Sequence, residues 1–197
     1  MINYINARDL LISEYSSYCL SNFEECSVND VTGLPLVHNR TTCFNFDKIK
    51  ASIDSTKKSA DSLFNCDSKE LFLFIEFKDS TARNSNVNVY CSAADSLFLF
   101  NSFFKNKLNE EEDLKKEFAA ILSSNKNGSN ETNTITAALI RQSSKFGYFS
   151  VDTVDSEQCY KDRLKREYPF LYNEKHFFSK YIFVLSDNFD EWILEYN

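Results

Sequence analysis

Three glycines and two prolines in 197 residues are too few for a loop-rich scaffold. These residues supply most sharp turns and breaks, so long regular elements are expected instead. Histidine is as scarce, with only His38 and His176. The six cysteines (Cys19, Cys26, Cys43, Cys66, Cys91, Cys159) form no Cys-x-x-Cys pair. Together these absences exclude the usual structural zinc patterns. No apolar stretch nears the roughly 20 residues that a membrane-spanning helix needs; Leu71 to Ile75 is a representative run. Met1–Asp9 has no basic region leading into an apolar one, so no signal peptide and no membrane partner are read. A cytoplasmic chain with reduced, packed thiols is the expectation.

Positive charge is also short. Lys and Arg number 22 against 29 Asp and Glu, for a net charge of −7 and a pI near 5.0. A surface of that sign repels nucleic acid at long range, although a bound cation can reverse the sign locally. It equally suits a basic protein partner. What the chain has in abundance is apolar and aromatic material, including 19 Phe and 10 Tyr. That is ample for one sizeable core, and disorder is excluded on composition.

Periodicity gives the elements. Residues 3–21 read as a helix, with Ile5, Leu10, Leu11, Tyr15, Tyr18 and Cys19 near helical spacing. Thr41–Phe46 alternates as a strand, and residues 60–66 form a second. A polar turn at Asn65–Lys69 leads into the clearest strand, Glu70 to Lys78, as one hairpin. Residues 90–104 suggest a helix laid on the sheet, with Phe100 and Phe103 on its outer side. Residues 110–123 read as a charged amphipathic helix, acids first and lysines later, in the order that suits a helix dipole. A polar loop is expected over 123–133, helices over 134–142 and 159–168, and a strand from Phe146 to Val154. Lys180–Ser186 reads as a buried strand. Residues 188–196, with Trp192 and Leu194, close the core. The fold class is therefore α/β: one domain over 1–197, a mixed central sheet flanked by helices, and a helical C-terminal extension.

One constellation carries chemistry. Along Glu70–Lys78, Leu71, Leu73, Ile75 and Phe77 share one face, while Phe72, Phe74, Glu76 and Lys78 share the other. Both faces begin apolar, yet the second ends in an acid and a base. A hairpin runs its strands antiparallel, so Asp61 at the head of the first strand lies near Glu76 and Lys78 at the tail of the second. Two converging carboxylates suit Mg²⁺, a hard cation that takes oxygen ligands and keeps several waters. The bland alternative is an ion pair at a strand end, with Asp61 a turn or cap acid.

Lys57–Phe64, a short turn, and Phe72-Leu73-Phe74-Ile75-Glu76-Phe77-Lys78 together resemble the core of the PD-(D/E)XK, or restriction-endonuclease-like, superfamily. The resemblance spans roughly residues 1–105 (core motif 41–105) and, more faintly, 180–186. Ala60 stands where a Pro often precedes the first acid. The resemblance implies Asp61 as first acid, Glu76 as second and Lys78 as catalytic lysine, with Asp61 and Glu76 holding Mg²⁺. It also implies a further metal ligand from the opening helix, matched by Glu14, with Glu24 or Glu25 as substitutes. The implied activity is metal-dependent cleavage of DNA or RNA. The alternative is a non-catalytic acidic binding protein on the same fold, such as an immunity protein or antitoxin that neutralises a basic protein toxin.

Overall fold

The computed structural model describes residues 3–79, 82–107, 114–124, 148–150 and 178–197. In a chain so poor in Gly and Pro, asparagine supplies the punctuation. Helix α1 (Tyr4–Cys19) starts behind Asn3, whose side chain accepts the Asn6 N–H. Helix α2 (Phe23–Cys26) starts behind Asn22, and α3 (Phe46–Ile53) behind Asn45, each with the same side-chain cap. Asn is among the best N-cap residues because its short oxygen reaches one of the unpaired N–H groups of the first turn.

The strands are β1 (Leu20–Asn22), β2 (Thr42–Asn45), β3 (Ser62–Cys66), β4 (Leu71–Lys78), β5 (Lys116–Leu122), β6 (Tyr148–Ser150) and β7 (Lys180–Leu185). They form one mixed sheet in the order β1-β2-β3-β4-β5-β7-β6. The first four pair antiparallel in sequence order, β4-β5 and β5-β7 are parallel, and β6 returns antiparallel to β7. The long helix α4 (Ala82–Lys107) is the crossover that a parallel β4-β5 pair requires. The class is α/β, with a mixed sheet flanked by helices.

Each face of the sheet has its own core. Phe72 and Phe74 of β4, Phe118 and Ala120 of β5 and Phe183 of β7 are covered by α1, α3 and α4. Leu71, Leu73, Ile75 and Phe77, with Ala119, Ile121, Ile182 and Val184, are covered by Phe23 of α2, Val37 and the C-terminal segment. That segment is α5 (Phe189–Ile193), bracketed by two short 3-10 turns. The alternation read along β4 therefore separates the two cores as expected.

Several expectations are corrected. The opening helix ends at Cys19, and Leu20–Asn22 leave it to pair with β2 as the edge strand. Residues 116–122, expected as the second half of a charged helix, are strand β5. The five apolar residues Phe118–Leu122 must satisfy both cores at once, which a helix with one apolar stripe does not do. Phe100 and Phe103 are not on an outer surface but 2% and 6% exposed. Phe100 packs tilted against Phe72 at 5.0 Å and Phe103 against Tyr15 of α1 at 5.2 Å, so α4 is covered by α1 as well as the sheet. Trp192 closes the second core, but Leu194 is 68% exposed. The strand expected over 146–154 is present at residues 148–150. The helices expected over 134–142 and 159–168, and nearly all of the 123–133 loop, lie outside the described residues. Among the described residues no helix is long and apolar enough to cross a membrane.

Candidate functional site

The hairpin forms as the sequence requires. Asp67–Lys69 makes a single 3-10 turn, Glu70 takes the left-handed conformation (φ 50°), and the strands run in register from Cys66↔Leu71 to Ser62↔Ile75. One residue further, Asp61 comes level with Glu76. There the ladder changes hands. The Asp61 carbonyl accepts the N–H of Phe46 (3.0 Å), while its carboxylate Oδ2 accepts the N–H of Phe77 (2.6 Å). The side chain of Asp61 thus takes over the backbone pairing where β3 stops.

Glu76 points into the face covered by α4 and is 1% exposed. Its Oε1 pairs with the Lys78 ammonium and accepts from Ser92 Oγ of α4 (3.2 Å). Among the described residues its Oε2 is buried without a hydrogen-bond partner. An ionised carboxylate in such a place is costly unless something meets both oxygens. Lys78 retains 29% of its side-chain exposure, so it marks the mouth of the site. The sequence-expected trio of Asp61, Glu76 and Lys78 is therefore brought together at the C-terminal end of β4. Beside it the parallel ladder ends at Ser123, whose N–H bonds the Lys78 carbonyl (3.1 Å). Strand ends of this kind are where α/β sheets commonly place ligands.

The loop before Asp61 is tied to α4. Asp95 accepts the N–H of Lys58 (3.0 Å) and Ser96 Oγ accepts that of Ala60 (2.7 Å). On the other side, Ser59 Oγ donates to Asp47 of α3 (2.6 Å), which also pairs with Lys50. Burial first, then the negative charges of Glu76 and Asp47, push the Asp61 carboxyl well above its usual range, against the Phe77 N–H and Lys78. Burial likewise raises Glu76, against the pull of Lys78 and Ser92. For Lys78, burial acts downward, but Glu76, Asp61 and Asp47 outweigh it and the ammonium is held above its ordinary value. Two acids inclined to keep a proton, beside a firm cation, can hold a metal ion or exchange protons with a bound substrate.

Glu14 does not join them. It is exposed on α1, and among the described residues no three acid, His or Cys side chains cluster in a way that could hold a metal ion. Glu24 is engaged with Arg40 (2.8 Å) and His38 (3.7 Å), and Glu25 accepts from Ser21 (2.6 Å). Both lie on α2, whose Phe23 belongs to the opposite core. The third acid whose charge reaches the site is Asp47, which the sequence reading missed. The signal was present: Asn45 as a cap, then Phe46, Ile49 and Ile53 at helical spacing. Ser92, Asp95 and Ser96 were missed because they sit on a helix whose register against the sheet is a tertiary fact. Comparison with protein-family models, with curated proteins and with solved structures yields no match.

Proposed function

We propose that this chain is a Mg²⁺-dependent phosphodiesterase of the PD-(D/E)XK type that cleaves nucleic acid, with Asp61 and Glu76 as metal ligands and Lys78 as catalytic lysine. The observation that carries the reading is a buried Glu76 oxygen that has no partner among the described residues, beside a second carboxylate and a lysine at a strand end. The donor set fits the ion. Mg²⁺ is commonly held by one or two carboxylates, with waters and substrate phosphate completing its shell, so a third acidic ligand is not required. When bound, the ion supplies neutralising charge and a more acidic water.

The rest falls to the chain. Asp61 is oriented through Phe77, and its loop is fixed by Asp95 and Ser96, so its position is set before any ligand arrives. Glu76 is turned by Ser92 and Lys78. Lys78, at the mouth of the site, would offer its ammonium to the phosphate oxygens on which charge develops. The test is cleavage of single- and double-stranded DNA and RNA by the purified chain with Mg²⁺ or Mn²⁺. Cleavage that vanishes in Glu76→Ala and in Lys78→Ala is expected. A wild type inert on every substrate with either ion overturns the reading.

The net charge of −7 favours a second reading, a non-catalytic acidic binder that neutralises a basic protein toxin. A tight basic partner whose binding survives Glu76→Ala, from a chain that cuts nothing, would favour it over the first.

A further inference from the structure

On the opposite face of the sheet from Glu76, two thiols that stand 17 residues apart in sequence lie side by side. Cys26 ends α2 and Cys43 lies on β2, with their sulfurs 3.8 Å apart. The contact is built into the fold. Cys43 is the strand partner of Ser21, and Ser21 leads through Asn22 into the single helical turn that ends at Cys26. Beyond it, Ser27 fixes the returning chain: its carbonyl accepts from Leu36 (3.0 Å) and its Oγ from Val37 (3.2 Å).

We infer that Cys26 and Cys43 are a dithiol oxidised by hydroperoxides to a disulfide, with Cys26 the attacking thiol and Cys43 the resolving one. Cys26 is half-buried and reachable, whereas Cys43 is 3% exposed. The two are also unlike in acidity. The contact between the two thiols lowers Cys26 below its ordinary value despite burial, while that same contact and burial raise Cys43. The Cys26 thiolate attacks the terminal oxygen of the hydroperoxide, the O–O bond breaks, and the alcohol or water leaves with a proton, giving a sulfenic acid. The Cys43 sulfur then attacks the Cys26 sulfur and its proton leaves with the displaced hydroxyl as water. The sum is two thiols and one hydroperoxide giving one disulfide, one alcohol or water, and one further water. The sulfurs must close from 3.8 Å to about 2.05 Å.

The test is peptide mapping of the intact chain after one equivalent of hydrogen peroxide at neutral pH, with remaining thiols alkylated before digestion. A Cys26–Cys43 linked peptide lighter by two hydrogens is expected ahead of oxidation at Cys19, Cys66 or Cys91. In Cys43→Ser, Cys26 should stop at a sulfenic acid trapped by dimedone; in Cys26→Ser, Cys43 should stay alkylatable. Recovery of both wild-type cysteines alkylated, or a different pair linked first, overturns the inference. The wild-type map decides this even where a serine variant does not fold, and it reads no nuclease activity.

Discussion

Glu76 is an expensive residue for the fold to keep. Its side chain is almost fully covered, one oxygen has no partner among the described residues, and the other depends on Lys78 and Ser92. Removing one member of such a pair is worse than removing both, because a lone buried charge remains. Lys78→Met is therefore expected to cost about 3 kcal/mol of unfolding free energy, the lower end of the usual range because Lys78 keeps some exposure. Urea denaturation checks this. The double variant Glu76→Leu with Lys78→Met should recover that loss or exceed the wild type, as expected where a charged pair is kept for function at the expense of stability. A double variant less stable than Lys78→Met alone would make the pair a structural necessity.

At the scale of elements, helix α4 holds the loop that presents Asp61. Ser96→Ala strips the acceptor from the buried Ala60 N–H and should cost about 1–3 kcal/mol in chemical denaturation. If the loop matters to the site, cleavage should fall further than the stability loss accounts for; equal activity at equal folded fraction would contradict that. Phe72 meets Tyr4, Phe100 and Phe104, so Phe72→Ala should cost about 3–5 kcal/mol by the same measurement. The hairpin with its two acids and lysine was legible because the period of two and a short turn fix a register from local sequence alone. Strand β5 was not legible. Its first residues, Lys116 and Glu117, read as a solvated helix face, yet both are buried, with Glu117 accepting from Tyr196 (2.8 Å). What placed them inside was the chain on either side, β4 and β7, which no local pattern announces. For the same reason Glu14 matched the expected third ligand by order along the chain, while helix rotation leaves it in solvent.

For the molecule as a whole, titration is the readable consequence. Asp61 and Glu76 have folded values above their ordinary range, so the native state keeps protons that the unfolded chain releases. Their contribution to stability is present below the ordinary carboxylate range and is lost as pH rises through the raised values. Glu24, Asp54 and Asp67 are lowered instead, and their stabilisation is lost only as pH falls through those lower values. Between the ordinary carboxylate range and neutrality the buried pair should dominate. The urea midpoint should fall as pH rises there, and a double variant, Asp61→Asn with Glu76→Gln, should flatten the profile. A midpoint that rises with pH in the wild type would contradict the burial of this pair.

A divalent cation should compete with those same protons. Calorimetric titration of Mg²⁺ into the wild type at neutral pH, in two buffers of different ionisation enthalpy, tests the central claim most directly. One ion bound with release of protons, and binding lost in Glu76→Gln, is the result predicted. Absence of binding in the wild type, or equal binding in the variant, would contradict it.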